Sequence, residues 1–390
     1  MSIFPKSKAN DKLMLVFHVG SSAVGGTFFQ AQDSGIPKII FSAEEKIVVE
    51  KDFDLDRFLS LTVQALQIVV KKAYEARLGA PSEIFCVLSS PWHFSQTRII
   101  SLKKNTPFIF TAKLADDLIR KEIKIFEEKH FKKYGSAVRT IELKNIKTML
   151  NGYETPKPLN QKAKELEMVI FVSISGEQVL KKIEETISKY FHSSQIKFSS
   201  FTMTSFTIVR DLNPQRENFL LMEISGELTD IYMIKKGALG ESISFPLGRN
   251  FLTRGIASSL RSNLSEADSL ISLFKDGRAE AKLAKKLLPV MNRLKAEWLK
   301  NFQESLANLS HDISIPAAIY AAMDEDLADF FSEIIKAEQF NQYILTESKF
   351  EVIFLNKESL RAVAVFEGSE VCDSSLIIDA VYVNRFLIKK

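Results

Sequence analysis

Apolar positions along this chain recur with two periods, and the switches between them mark its elements. LMLVFHVGSSAVGGTFFQ opens as a buried strand, turns at Gly20, Ser21 and Ser22, and resumes as a strand from Gly26 to Gln30; KIIFSAEEKIVV adds a third strand. The period then changes. Between 54 and 78, Phe58, Leu61, Leu66, Val69, Val70 and Ala73 follow helical spacing, with Asp54 or Asp56 to cap the start and Gly79 to end the helix. EIFCVLSS follows as a continuous apolar strand of the kind buried on both faces.

From about Trp92 the pattern changes again. HFSQTRIISL reads as a strand, Thr111 caps an amphipathic helix over 113–133, and TIELKNIKTML, the turn NGYETPKPLN and the strand ELEMVIFVSIS complete an α+β segment. GEQVLKKIEETISKYF is an amphipathic helix, and IKFSSFTM with TSFTIVRDL leads to a hinge near Asn213 and Pro214. The stretch 218–257 then repeats the opening order: FLLMEI is a strand, SGELTD a tight turn, IYMI a strand, Lys235, Lys236 and Gly237 a second turn, ESISF a strand. LTRGIASSL starts a helix after Pro246, Leu247 and Gly248.

Beyond it, Ser265 caps a helix that Gly277 ends, and 279–309 is helical, with Pro289 expected to kink or divide it. ISIPAAIYAAMDEDLADFFSEIIKAEQF gives strand, turn and helix, the turn leaving Asp324 as N-cap of an acid-rich helix start with Glu325 and Asp326. KFEVIFLNKE, LRAVAVFEG and SLIIDAVYVNRFLIKK read as strands and turns.

Composition narrows the function classes. The 390 residues are 46% hydrophobic and include 30 Phe, enough apolar surface for sizeable cores. Fifty-two basic residues against 48 acidic ones, a formal charge of +4 spread along the sequence, form no basic stripe, which argues against nucleic acid. Cys86 and Cys372 stand far apart without zinc spacing and read as small core residues of a reducing compartment. No apolar run approaches the roughly 20 residues of a spanning helix, so the chain reads as cytoplasmic.

The unit at 218–257 resembles the second phosphate loop of actin-like ATPases, and more closely that of the FtsA (cell division) and PilM (type IV pilus assembly) families. Where those families have roughly Asp-x-Gly-Gly-Gly-Thr-Thr-Asp-Ile, this chain has Glu223, Ile224, Ser225, Gly226, Glu227, Leu228, Thr229, Asp230 and Ile231. The first loop resembles the pattern Asp-x-Gly-Thr-x-x-Val-Lys, with His18 at the acid and Gly25 at the basic position. Ala321, Ala322 and Met323 stand where the family has its adenosine-loop glycines.

The resemblance implies an α/β, actin-like (ribonuclease H-like) fold of two halves with an inserted α+β subdomain. It places the first half at 1–91 and 170–212 and a partner-binding insert at 92–169. The second half falls at 213–258 and 312–390, with a helical subdomain at 259–311. It implies an ATP and magnesium site in which Gly20, Ser21, Ser22, Gly226, Thr229 and Asp230 would face phosphate and Glu223 with Asp230 a hydrated cation. Glu227 brings a negative charge into that cradle, a repulsion on the order of 1–4 kcal/mol at about 4 Å. The three altered loops together point to a nucleotide site that is changed or lost.

The function implied is a scaffold docking the cytoplasmic segment of a membrane protein of the division or pilus machinery, recruited to the inner face of the membrane. An active ATPase that polymerises and a small-molecule kinase of the same superfamily stay open. His18 reads as a hydrogen-bonded structural residue, and Arg249 and Arg254 as exposed helix-end arginines. The five histidines lie in unrelated contexts, so the sequence assembles no Ser/His/Asp nucleophile.

Overall fold

A computed structural model describes residues 12–134, 137–192, 195–275, 278–309, 315–324, 327–337, 349–367 and 372–388, and the sheets and helices below are counted among these. β1 (Leu13–Val19), β2 (Ala23–Gln30) and β3 (Lys38–Lys46) form the expected meander. α1 (Leu55–Glu75) follows, its start capped by the Asp54 carboxylate, which accepts from the Arg57 N–H. β4 (Glu83–Leu88) then returns parallel to β1.

β5 (Phe94–Ile109), α2 (Ala112–Tyr134), β6 (Val138–Leu150), β7 (Tyr153–Glu154) and β8 (Lys162–Gly176) build a separate antiparallel sheet in the order β5-β8-β6-β7. One face of that sheet packs on α2 through Ile100, Leu166, Met168 and Phe126. α3 (Glu177–Ser188), β9 (Ile196–Ser200) and α4 (Phe201–Leu212) bring the chain back to the first sheet, where β9 lies beside β4.

β10 (Phe219–Ile224), β11 (Thr229–Lys235) and β12 (Ala238–Phe245) repeat the meander and lead into α5 (Arg249–Leu260). α6 (Leu264–Lys275), α7 (Ala281–Leu309), β13 (Ala318–Met323), α8 (Ala328–Ala337), β14 (Glu351–Phe354), β15 (Val365–Phe366) and α9 (Ser374–Tyr382) complete the chain. The two larger sheets run β15-β3-β2-β1-β4-β9 and β12-β11-β10-β13-β14. Leaving out β15, each places its third, second, first, fourth and fifth strands side by side, so one topology occurs twice.

Some local expectations are corrected. The last apolar segment, read as strands, is α9 followed by a π-helical turn at Val383–Leu387. Its residues from Leu376 to Val383 are all buried, so the run carries no amphipathic period to separate helix from strand. Of LRAVAVFEG, the described residues 360–367 are turn and irregular chain apart from the two residues of β15, and Gly368 lies outside the described residues. α6 starts one residue before Ser265, and Asn263 Oδ1 caps it by accepting from the Glu266 N–H. Gly277, Glu325 and Asp326 lie outside the described residues. Pro289 sits within a continuous α7 and does not divide it.

Strand alternation decides which core each residue joins. Along β1, Met14 and Val16 point to one face and Leu15 and Phe17 to the other; along β10, Phe219 and Leu221 separate likewise from Leu220 and Met222. The inner faces of both sheets share a single core with α4 and α9, through Phe201, Phe206, Leu376, Ile377 and Val381. α1 and α3 cover the outer face of the first sheet, and α5 to α8 cover that of the second.

A β-bulge between Thr140 and Glu142 turns the buried Glu142 towards these inner helices. Its Oε2 accepts from the Ser200 N–H at 3.1 Å and the Ser200 hydroxyl at 2.8 Å, and its Oε1 accepts from the Tyr382 hydroxyl at 3.0 Å. One carboxylate thus ties the four-stranded sheet to the start of α4 and the end of α9. Burial lifts its pKa, and the Ser200 donors pull against that rise.

Candidate functional site

The same alternation that builds the inner core carries a set of polar side chains to its rim. His18 follows Met14 and Val16 on the inner face of β1, Ser89 follows Val87 past the end of β4, and Glu223 and Asp230 share the parity of Leu221 and Tyr232. They meet where the first and second turns of the two halves face each other. The cavity there is lined by His18, Ser22, Glu44, Ser89, Glu223 and Asp324, among others, and measures about 60 Å³.

His18 is central to it. Its Nδ1 lies 2.8 Å from Asp379 Oδ2 on α9, and its Nε2 lies 3.2 Å from Ser89 Oγ. Asp379 is fully buried, and its other oxygen accepts from the Thr204 hydroxyl of α4 at 3.1 Å. Burial opposes a charge on His18, but the charge of Asp379 and its hydrogen bond outweigh that and lift the pKa. Burial in turn lifts Asp379 while His18 holds it down. Ser89, His18 and Asp379 therefore fall in the order of nucleophile, base and carboxylate, an arrangement the sequence did not assemble. The charged form that Asp379 favours would donate to Ser89 instead of accepting its proton, and the cavity is far below the roughly 300 Å³ of a ligand pocket. The set is a hydrogen-bonded link between β1, β4 and α9, which agrees with the structural reading of His18.

Glu223 and Asp230 stand directly opposite each other on β10 and β11. Asp230 accepts from the Ser244 hydroxyl through Oδ1, while Glu223 Oε2 and Asp230 Oδ2 have no hydrogen-bond partner among the described residues. Two buried carboxylates on facing strands disfavour each other's charge. Burial first, and the charge of Asp230 second, push Glu223 up to about 8; burial pushes Asp230 up to about 6.

The sign of the pH dependence follows. Above the ordinary carboxylate values of 4.5 and 3.8, the folded chain keeps protons that the unfolded chain has released, so stability falls as pH rises. His18, lifted above its ordinary 6.5, loses its contribution in the same direction as pH passes its folded pKa. Urea unfolding between about pH 6 and pH 8 is expected to lose about 1.4 kcal/mol per pH unit for each proton involved, with Glu223→Gln removing one proton's share. A flat or rising profile would overturn this assignment.

The two phosphate-loop candidates touch. A Cβ on Gly226 would stand 2.3 Å from the Ser21 carbonyl oxygen and 2.7 Å from the Ser22 nitrogen, so only glycine admits this approach. The Ser21 hydroxyl accepts from the Glu227 N–H at 3.1 Å, and the Ser22 hydroxyl donates to Asp324 Oδ1 at 3.4 Å. Gly25, at the family's basic position, leaves the space that Leu376 of α9 fills, since a Cβ there would meet Leu376 at 2.8 Å. Thr229 is turned away and donates to the Leu247 carbonyl.

Three charged residues are placed differently from their sequence reading. Glu227 does not face the cleft as a free charge: Arg254 holds it bidentately at 2.6 and 2.8 Å, and Asn250 donates to it at 2.8 Å. Arg254 also donates to the Glu50 carbonyl of the first half. Arg249 is not exposed; its side chain retains 8% of its accessible surface and bridges Asp268 and Asp324. The Asp324 carboxylate is engaged by Arg249 and Ser22, and its backbone carbonyl accepts from the Leu327 N–H.

Magnesium and ATP, which the fold implies, do not fit this arrangement. The contact between Gly226 and Ser21 fills the position between the loops, and the cavity that remains is lined by Glu44, Glu223, Asp324 and Asp373. Negative charge on Asp324 and Asp373 repels a triphosphate. Among the described residues, no group of three or more His, Cys, Asp or Glu side chains could hold a metal ion.

No protein-family model matches the sequence, and no curated protein matches it. The duplicated strand order and the cleft between the two halves define an actin-like ATPase fold. One solved structure agrees: a PilM–PilN type IV pilus biogenesis complex contains a chain that superposes with a TM-score of 0.61 at 14% identity, covering 96% of this chain and 97% of that one. The ethanolamine utilization protein EutJ from Carboxydothermus hydrogenoformans gives 0.44 at 10% identity over 96% and 89% of the two chains. A Bacteroides thetaiotaomicron protein with an actin-like ATPase fold gives 0.39 at 10% identity over 90% and 95%. Among the described residues, no helix is long and apolar enough to cross a membrane.

Proposed function

We propose that this chain is a docking protein of PilM-like architecture, which binds a segment of a membrane protein of a pilus or division machinery and does not turn over nucleotide. The observation that carries the reading is the closed contact between Gly226 and Ser21 within a fold that matches PilM along its whole length. A fold kept entire while its cleft is filled from within is suited to presenting surfaces.

The geometry favours one surface for the segment. β9 is the edge of the first sheet, and a groove of about 620 Å³ runs beside it, lined by Arg139, Ile141, Glu184, Ile196, Lys197 and Phe198. An edge strand offers unpaired backbone groups to an extended peptide, and the adjoining apolar and charged side chains supply selectivity.

Two measurements test the reading. Isothermal titration of the full chain with ATP and magnesium at about millimolar concentration is expected to give no saturable heat; saturable magnesium-dependent binding would restore the ATPase and kinase alternatives. A peptide array of the cytoplasmic segments of the host's membrane proteins is expected to yield a binder that Phe198→Asp weakens at least tenfold, about 1.4 kcal/mol. An array without a binder, or one indifferent to Phe198→Asp, would remove the proposed groove.

A further inference from the structure

The far end of the four-stranded sheet combines exposed apolar side chains with a concentration of lysines. The register places three loops together there. Ile109 at the end of β5 pairs with Lys162 at the start of β8, the hairpin at Asn151 and Gly152 receives a hydrogen bond from Lys164 N–H to Asn151 Oδ1, and the Asn160 N–H donates to the Phe110 carbonyl. The apices of these loops carry Ile109, Tyr153 and Leu159, which keep 50%, 79% and 52% of their accessible surface. Burying none of these in a core leaves three apolar groups in water at one end of one sheet.

Charge is concentrated at the same end. Lys103, Lys104, Lys157, Lys162 and Lys164 are all exposed there, and Lys147 lies nearby. Against these six lysines stand Glu154 and Glu165, already engaged by Lys147 and Lys103, and Glu167 on β8. Six lysines against three carboxylates leave an excess of three positive charges at this end of the sheet.

We propose that this tip is a peripheral contact site for an anionic lipid bilayer, with Ile109, Tyr153 and Leu159 entering the headgroup layer and the lysines resting on its phosphates. Apolar and aromatic side chains at loop apices, ringed by long cationic stems, suit a layered surface that is charged outside and apolar beneath. An acidic protein would satisfy the lysines alone and leave the three apolar apices without a role. The proposal stands independently of the peptide groove.

Sedimentation of the full chain with vesicles tests it. The chain is expected to pellet with vesicles of phosphatidylcholine containing about one third phosphatidylglycerol and to stay in the supernatant with phosphatidylcholine alone. Lys162→Glu with Lys164→Glu is expected to weaken partitioning about 30-fold or more. Tyr153→Ser with Leu159→Ser, which leaves the charge unchanged, is expected to weaken it about tenfold. Trp92 and Trp298 are buried, so Tyr153→Trp supplies a fluorescence reporter whose emission is expected to shift to the blue on anionic vesicles.

All these positions are exposed, and equal thermal midpoints check the fold; if Lys162→Glu with Lys164→Glu shifts the midpoint, Lys104→Glu with Lys157→Glu replaces it. A wild-type chain that stays in the supernatant with anionic vesicles would overturn the proposal. So would binding that depends on the lysines while the serine pair and the Tyr153→Trp emission register nothing, which would assign the tip to an acidic macromolecule.

Discussion

Replacing Asp379 by alanine is expected to lower the unfolding free energy by about 3–5 kcal/mol, because breaking a buried pair from one side leaves its partner uncompensated. Asp379 is fully buried and is the acceptor for both His18 and Thr204, so its loss leaves Nδ1 of the ring and the Thr204 hydroxyl without that oxygen. The effect has a second readout. With Asp379 present, His18 titrates above its ordinary 6.5; without it, burial acts against the charged ring with less opposition and the titration is expected to fall below that value. Nuclear magnetic resonance of the His18 ring distinguishes this from a packing defect, which would cost stability without moving the titration in that direction. An Asp379→Ala variant with unchanged stability and an unchanged His18 titration would show that the pair does not hold β1 against α9.

Gly226→Val is expected to cost about 3 kcal/mol or more and to separate the two loops. The obstacle to the new Cβ is the backbone of Ser21 and Ser22, so no change of rotamer can relieve it. Three hydrogen bonds lie next to the contact: Glu227 N–H to Ser21 Oγ, Arg249 N–H to the Ser225 carbonyl and Asn250 N–H to the Gly226 carbonyl. Hydrogen exchange at Glu227 and Asn250 is expected to accelerate as these bonds weaken. Gly237 is the control. Its φ of +67° strains any side chain, but nothing lies within 4 Å of its Cβ position, so Gly237→Ala is expected to cost about 1 kcal/mol and to leave exchange at the cleft unaltered. Equal losses at the two sites would mean that Gly226 is required only for its backbone freedom, and that the loops are not pressed together.

How far the sequence could be read depended on whether a residue's partners were local. The meanders at β1 to β3 and β10 to β12 announce themselves through apolar alternation and glycine or polar turns, and Asp54 and Thr111 cap α1 and α2 from three residues away. α9 failed for the opposite reason. A helix surrounded by both sheets is apolar on every side, and β-branched residues in a short apolar run favour a strand when only neighbours along the chain are considered. Arg249, Arg254 and Glu227 were misplaced because their partners lie 19 to 204 residues away. One signal was available for the site: Asp379 is an acid inside an unbroken apolar run, and such a residue requires a buried partner. Nothing local says that the partner is His18.

The sequence by itself determined the strands, turns and helices, whose periodicity and few glycines act within about 40 residues of each other, and the class of fold followed from their resemblance to the actin-like families. It also showed that three loops depart from the residues those families have there. Only the tertiary structure decided that the inner faces of both sheets meet around α4 and α9, that Gly226 closes on Ser21, and that the charges at the rim satisfy one another. Those outcomes depend on contacts between the two halves, whose strength is set by distance and desolvation once the chain has folded, and spacing along the chain carries no record of either.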